Sequence, residues 1–501
     1  VDAPCAGNGT CGKCRVQIDD HAAVRPSASD HRHLSAEELG SGWRLACTCS
    51  PAGEVRVRIP DESLSQEVVS SFLDAWGPVL GDADAPDLVA ACDLGTTTVV
   101  CVLIESRTGQ CLARASGGNP QTRYGGDVIA RLQAAMSDTG QAADLQRLII
   151  GCIERLLLEC CDEVGISHER IGRLVIAGNT AMQHLLLKWD VSRLAVLPFE
   201  PTCREAICGD GIGYGFALPL PEVYVMPVLS GYVGGDIASG LLAWQADQET
   251  GPTLLVDLGT NGEIALLRET GIFATATAAG PAFEGAGISC GMRAEYGAIT
   301  DIQLRDGRLV VDTIAGAPAR GLCGTGLIAA MALCLEFGLC DETGLILDED
   351  EWPEGCPEVL RQAVRDEAVA LAPGVVLRQR DIRQLQLAKA AIAAGIEVIL
   401  ARQNIAVAQL QRVIVAGGFG FHLDIDASRR IGLLPAGVAN ERIEVVGNAS
   451  LAGARIIALQ SECRKRVEQL ARSATTIDLS GTADFEEAYI EHMEFPESAV
   501  R

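Results

Sequence analysis

Basic side chains, aromatics and long apolar runs are all scarce in this sequence. Only 40 Lys and Arg stand against 66 Asp and Glu, a formal net charge of −26. Sequence-independent binding to a nucleic-acid backbone needs a cationic surface that displaces counterions, so no nucleic acid partner is expected. No uninterrupted apolar run approaches the roughly 18 residues of a bilayer-spanning helix. The stretch Val1 to Thr10 also lacks the basic and apolar regions of a secretory signal. No membrane association is expected, and the cytoplasm is the expected location. With ten Phe, five Trp and six Tyr in 501 residues the cores must be aliphatic, and 54 glycines call for many turns. That balance fits an α/β architecture, and the length leaves room for several domains.

Cysteine, by contrast, is plentiful, at 19 residues. Disulfide frameworks belong to short secreted chains that cannot bury a core, and this chain can. Cys101, Cys152, Cys160 and Cys334 lie inside apolar segments and read as buried free thiols. One group is spaced for chemistry: Cys5, Cys11 and Cys14 in CAGNGTCGKC, followed by Cys47 in RLACTC. Its C-x5-C-x2-C…C pattern is closely related to the C-x4-C-x2-C…C of plant-type [2Fe-2S] proteins. Ala6 to Thr10 are small enough for the loop to wrap a cluster and direct backbone N–H groups at sulfur. Structural zinc usually pairs two short C-x2-4-C knuckles, whereas here one triple is joined by a single remote cysteine. Gly7 to Lys13 also fits G-x4-G-K of a phosphate loop. Cys14 replaces the magnesium-binding Ser or Thr, however, and RVQI after it reads as a strand where that motif needs a helix. Cys47 is preferred to Cys49 as fourth ligand because it follows the apolar-flanked RLA directly, but spacing leaves both open.

EVRVRIP, Glu54 to Pro60, alternates like a closing strand and ends a small β-rich domain over residues 1–60. The sequence starts inside the cluster loop, so the expected ferredoxin-like (β-grasp) domain is incomplete at its N-terminus. Residues 61–87 read as a linker. A capping box at Ser63 and Gln66 opens an amphipathic helix with Leu64, Val68, Val69, Phe72, Leu73 and Trp76 on one face. Gly77 to Asp87 forms a polar tether.

Beyond the linker the chain repeats itself. LVAACDLGTTTVVCVLI, Leu88 to Ile104, recurs in form as TLLVDLGTNGEIALL, Thr253 to Leu267: strand, Asp-Leu-Gly-Thr, strand. Later in each half an aliphatic strand ends in Ala-Gly, in LVIAGNTAMQHLLL from Leu174 and in VIVAGGFGFHLDI from Val413. Gly95 and Gly259 permit close backbone approach, and the hydroxyls and amides of Thr96, Thr97, Thr260 and Asn261 suit phosphate oxygens. Asp93 and Asp257 suit a hydrated Mg2+ held through its waters. Two such turns facing one another would clasp the polyphosphate of ATP.

These parts, in this order, resemble the superfamily that joins acetate and sugar kinases, heat-shock-seventy-type chaperones and actin. The resemblance covers about Leu88 to Leu470. It implies an ATPase body of two ribonuclease-H-like subdomains, 88–250 and 251–470, with 471–501 as an extension running over the main body. Asp93 to Thr98 and Asp257 to Glu263 are then the phosphate motifs. Ala416 to Gly420, with Gly417 and Gly418, is the adenosine motif, and Gly324 in GLCGTGLI is a further nucleotide contact. Glu263 and Glu284 are candidates for positioning the attacking water, and equally for a salt bridge or a helix cap. His422 reads as a packing residue, and LDEDEWPEG from Leu347 as a solvated loop.

Nearly the whole chain is similar to the reductive activators of corrinoid proteins, ATP-dependent iron-sulfur proteins that return inactive Co(II) corrinoid to Co(I). The similarity rests on CAGNGTCGKC with RLAC, NPQTRYGGDVIARL from Asn119, GNTAMQHLLL from Gly178 and SGYVGGDIASG from Ser230. It continues in AAGPAFEGAGISCGM from Ala278, GLCGTGLI from Gly321, LQLAKAAIAAGI from Leu385 and AGGFGFHLD from Ala416. It implies a [2Fe-2S] cluster, ATP and Mg2+ as cofactors, and a corrinoid methyl-transfer protein as electron acceptor. It also implies an electron donor such as a reductase or ferredoxin, and admits a homodimer. A plant-type cluster sits near about −400 mV. Each further 59 mV or so of uphill transfer costs about a factor of ten, which ATP would offset. Between Pro60 and Leu88 there is too little chain for the middle domain that some members carry. Two competing classes are an iron-sulfur-containing small-molecule kinase and a nucleotide-switched binding protein with a structural cluster.

Overall fold

The computed structural model describes residues 14–19, 24–51, 53, 55–59, 79–244, 251–418 and 423–497. In the small domain, RVQI forms β1 (Arg15–Ile18), antiparallel between β2 (Trp43–Leu45) and β3 (Val57–Arg58). Two capping boxes, Ser27 with Asp30 and Ser35 with Glu38, start the short helices that precede β2. Asp30 is buried and accepts the Leu45 N–H at 2.6 Å, which anchors the RLAC segment. The closing strand is shorter than EVRVRIP suggests. Only Val57 and Arg58 pair with β1, opposite Ile18 and Gln17. Val57 and Ile59 are 44% and 41% exposed among the described residues. The amphipathic helix expected over Leu64 to Trp76 lies outside the described residues.

The repeat becomes two lobes of one topology. Lobe I contains β4 (Leu88–Leu94), β5 (Thr98–Glu105), β6 (Gln110–Gly118), β7 (Ile171–Gly178), β8 (Ile207–Gly209) and β9 (Val223–Val225), in the order β6-β5-β4-β7-β9-β8. Lobe II begins with β10 (Thr253–Leu258), β11 (Gly262–Arg268) and β12 (Gly271–Thr277). Two small inserted sheets follow: β13 (Ala298–Arg305), β14 (Arg308–Thr313) and β15 (Gly321–Leu322), then β16 (Val364–Arg365), β17 (Ala368–Ala372) and β18 (Val375–Arg378). Next come β19 (Arg412–Gly417), β20 (Ile443–Gly447) and β21 (Thr475–Thr476), giving the order β20-β19-β10-β11-β12-β21. In each lobe the first three strands form an antiparallel meander, and two parallel strands extend the sheet from the other side of the first, β7 then β9 in lobe I and β19 then β20 in lobe II; β8 closes lobe I antiparallel to β9. β4 and β10 sit mid-sheet with helices on both faces, so their sequences are continuous apolar runs without alternation.

Where the lobes meet, helix Gly235–Ala243 of lobe I packs on helix Ala449–Leu459, which follows β20. They approach closely at Gly453, where any side chain would overlap the Ser239 carbonyl. Ser239 Oγ also donates to the Ser450 carbonyl at 2.5 Å. One described helix, Gln379–Arg402, is long and apolar enough to cross a bilayer. It packs instead on β11, β12 and helix Ala483–Glu491, with Asp381, Gln386 and Lys389 buried and hydrogen-bonded along it. The C-terminal segment does run over the body: β21 joins β12, and Arg402 holds Asp484 at 2.8 and 2.9 Å. No described cysteine is in a disulfide, and Cys101, Cys152, Cys160 and Cys334 are buried as expected.

Candidate functional site

Asp93 and Asp257 are each the penultimate residue of a central strand, β4 and β10, so the chain leaves the sheet just after them. Two tight turns follow, closed by Gly95 N–H to Thr98 O at 3.0 Å and Gly259 N–H to Asn261 O at 3.1 Å. A Cβ at Gly95 would lie 2.5 Å from the Thr98 carbonyl oxygen, so this turn requires glycine. The two turns meet across the lobes, with Thr97 Oγ1 and Thr260 Oγ1 3.3 Å apart. They bound a cavity of about 460 Å³. Its wall takes Asp93, Gly95, Thr96 and Thr97 from lobe I, and Asp257, Gly259, Thr260, Asn261, Gly324, Gly417 and Gly418 from lobe II. Every nucleotide-site residue expected from the sequence thus faces one space. Gly417 has φ +122° and packs on the Leu258 carbonyl, which leaves no room for a side chain. Cys323, Gly324 and Thr325, at the N-terminus of the 13-residue helix Gly324–Glu336, also line the cavity. That end offers unpaired N–H groups and a positive dipole to an anion. Phe419 to His422 lie outside the described residues, and the LDEDEWPEG run forms largely exposed turns.

Several contributors were not singled out from the sequence. Asn119 holds the first turn, its N–H donating to Thr97 O at 2.8 Å and its Nδ2 to Gly95 O at 2.9 Å. Asn179, the cap of helix Thr180–Leu186, donates Nδ2 to Thr96 Oγ1 at 2.9 Å. Asp93 is held from the other lobe: Asn448 Nδ2 and Ser450 Oγ each donate to it at 2.7 Å. Asp236, the acid inside SGYVGGDIASG, joins Asp93, Asp257 and Glu263 on the wall.

Crowding raises the affinity of these acids for protons. Burial pushes Asp93 up, opposed by its Ser450 and Asn448 hydrogen bonds. Burial, with the nearby Asp93, raises Asp236 to about 7. Burial, then Asp236 and Asp93, raises Asp257 to about 8. Glu263 is pushed well up by burial and by Asp236 and Asp257. A bound cation would relieve this repulsion. Among the described residues no three His, Cys, Asp or Glu converge to ligate an ion directly. Glu284 accepts from Thr260 Oγ1 at 2.6 Å, while its Oε2 is buried without a protein partner.

In the small domain, Cys14 is buried and Cys47 lies beside it, its N–H 3.5 Å from Cys14 Sγ. Cys47 packs with Cys14, Leu34 and Leu45, whereas Cys49 packs with the Val16, Ile18 and Val24 cluster. A backbone N–H aimed at a cysteine sulfur is what a cluster thiolate requires. Cys5 and Cys11 lie outside the described residues.

Fold and site together define a class: an actin-like, two-lobed nucleotide-binding body preceded by a ferredoxin-type domain. Comparison with protein families matches residues 1–52 to the 2Fe-2S iron-sulfur cluster binding domain, 88–249 to the RACo middle region and 251–501 to the C-terminal domain of RACo, the ASKHA domain. The chain belongs to the RACo family. A middle region was not expected because the linker is short; it matches lobe I itself, so the linker's length has no bearing on its presence. Among curated relatives, the corrinoid activation enzyme RamQ of Eubacterium limosum is 30% identical over 84% of this chain and 72% of its own. The [Co(II) methylated amine-specific corrinoid protein] reductase of Methanosarcina barkeri is 27% identical over 77% of this chain and 72% of its own. A solved structure, a reductive activator for corrinoid, iron-sulfur protein, superposes with a TM-score of 0.76 at 28% identity. It covers 99% of this chain and 93% of that one.

Proposed function

We propose that this chain is an ATP-dependent reductive activator of a corrinoid methyl-transfer protein, and that the contact between its two phosphate turns, Thr97 to Thr260, is the working part. The [2Fe-2S] cluster, when bound, supplies the single electron that takes Co(II) corrinoid to Co(I). Cys5, Cys11, Cys14 and Cys47 hold it; the placement of Cys47 beside Cys14, with Cys49 in a separate apolar cluster, supports this set.

In the body, the amides and hydroxyls of Gly95 to Thr97 and Gly259 to Asn261 bind the phosphates of ATP from opposite sides. Gly417 and Gly418 leave the backbone bare for adenosine, and the Gly324 helix end adds N–H donors. Asp93 and Asp257 hold the waters of a hydrated Mg2+. Asn448 and Ser450 oppose the upward pull of burial on Asp93 and tie lobe I to the seam helix of lobe II. Glu284, its Oε1 fixed by Thr260, presents Oε2 to orient the attacking water. Because one ligand touches both turns, the ATP and ADP states differ in lobe closure. That difference drives transfer only if the two states differ in affinity for the partner's Co(II) and Co(I) forms.

An outside reductase or ferredoxin reloads the cluster. A cytoplasmic setting belongs to the proposal, since a cysteine-rich chain of this length with no disulfide among its described residues suits a reducing compartment. The test is ATP turnover by the anaerobically purified chain, with and without its Co(II) corrinoid partner. Stimulation by the Co(II) form and not by the Co(I) form supports the reading; turnover indifferent to the partner contradicts it.

A further inference from the structure

Arg293 is the only basic side chain among the described residues that line the cavity, whose wall also carries Asp93, Asp236, Asp257, Glu263 and Glu284. We propose that Arg293 binds the terminal phosphate of ATP and stabilises the charge that builds on it as water attacks. The inference rests on the assignment of the cavity to ATP.

Three observations carry it. First, Arg293 belongs to lobe II but its guanidinium reaches lobe I. A Cβ built at Gly118 would lie 3.2 Å from Nη1, 3.5 Å from Nη2 and 3.8 Å from Cζ, and these are the three atoms nearest to it. Second, Gly118 ends β6 and directly precedes Asn119, which holds the first phosphate turn through Gly95 and Thr97. The guanidinium, carried by lobe II, therefore lies against the end of β6 in lobe I, one residue from the side chain that holds the first phosphate turn. Third, the segment that carries it is fixed. Met292 N–H donates to Leu322 O at 2.8 Å, and Ser289 donates to the buried Asp381 carboxylate through N–H at 2.7 Å and Oγ at 2.8 Å. A planar guanidinium on a fixed segment, in a cavity whose other charged side chains are acidic, is matched to two oxygens of one phosphate.

In the step it serves, the water oxygen bonds to the γ-phosphorus as the bond to the β–γ bridging oxygen breaks. ADP leaves with that oxygen and its electron pair. One water proton stays on the released phosphate and the other passes to solvent. Charge grows on the γ-phosphoryl oxygens and the bridging oxygen, within reach of a fixed cation.

The test uses the full chain with its cluster and compares wild type, Arg293→Ala, Arg293→Lys and Gly118→Val. The last meets the guanidinium first, from the other lobe, without altering Arg293. Expected for Arg293→Ala and Gly118→Val are an unchanged cluster spectrum, ADP affinity within about threefold of wild type and a fall of about 100-fold or more in ATPase kcat. Both should also lose the MgADP–vanadate complex, and Arg293→Lys should recover part of kcat. ATPase within about threefold of wild type in Arg293→Ala, or an intact vanadate complex, overturns the proposal. So does a parallel loss of ADP and vanadate binding, which marks a residue that only shapes the pocket. Failure of the wild type itself to bind ADP overturns the ATP assignment instead.

Discussion

Ser450 reaches from the seam helix of lobe II to a carboxylate of lobe I, and its removal has a signed consequence. Ser450 Oγ and Asn448 Nδ2 donate to the two oxygens of Asp93, each at 2.7 Å, against the upward pull of burial. A hydrogen bond to a charged group contributes about 1.5–3 kcal/mol, and one pKa unit corresponds to about 1.4 kcal/mol. Ser450→Ala removes one of these two opposing bonds and should raise the Asp93 pKa further. Asp93 must be ionised to hold a hydrated cation. The acidic limb of log kcat/KM for MgATP should therefore move to higher pH. The hydrogen bond from Ser239 goes to the backbone carbonyl of residue 450 and survives the substitution. Ser450→Thr, which keeps the hydroxyl, should hold the wild-type profile. Stability has its own sign. With a folded-state pKa above the unfolded one, Asp93 lowers the stability of the nucleotide-free protein as pH rises from the usual carboxylate range through the folded value. Ser450→Ala should thus cost more Tm at neutral pH than at mildly acidic pH. An acidic limb that stays within about 0.3 unit of wild type, with KM unchanged, would refute the reasoning.

Asp93→Ala or Asp257→Ala should abolish ATP-coupled corrinoid reduction yet leave the visible and paramagnetic spectra of the cluster intact; Cys14→Ser should lose the spectra and keep nucleotide binding. Cys47→Ser should prevent cluster assembly, measured as iron per chain, whereas Cys49→Ser should assemble it. Gly453→Ala reverses a usual rule. A helix-interior glycine replaced by alanine ordinarily gains about 0.5–1 kcal/mol, but here the methyl meets the Ser239 carbonyl. A loss of about 1–3 kcal/mol, typical of overpacking, is expected in denaturant titration together with weaker partner stimulation; a more stable protein would show that the seam yields freely.

Much of the site was legible because its chemistry is local. Asp-Leu-Gly-Thr carries the acid, the glycine and the hydroxyl of one turn in four consecutive residues, and the repeat announced the second. RVQI was legible as a strand because the alternation of Val16 and Ile18 matches a sheet with one buried face. What was hidden is contact between distant parts of the chain. Asn448 and Ser450 sit in Gly-Asn-Ala-Ser, an ordinary helix cap, and nothing local shows that they reach Asp93, some 355 residues away. Asp236 had a signal, a lone acid in a run of small and apolar residues, but only the closing of the lobes gives it neighbours. EVRVRIP misled in extent because alternation marks a face without showing how much partner strand there is to pair with.

The central claim is that ATP drives one electron from the cluster to the partner. Chemically reduced chain, freed of excess reductant and mixed anaerobically with the Co(II) corrinoid protein, should keep its paramagnetic signal until MgATP is added. The signal should then fall as Co(I) absorbance rises, one for one. Co(I) appearing at the same rate without ATP, or from a chain stripped of its iron, would contradict the account.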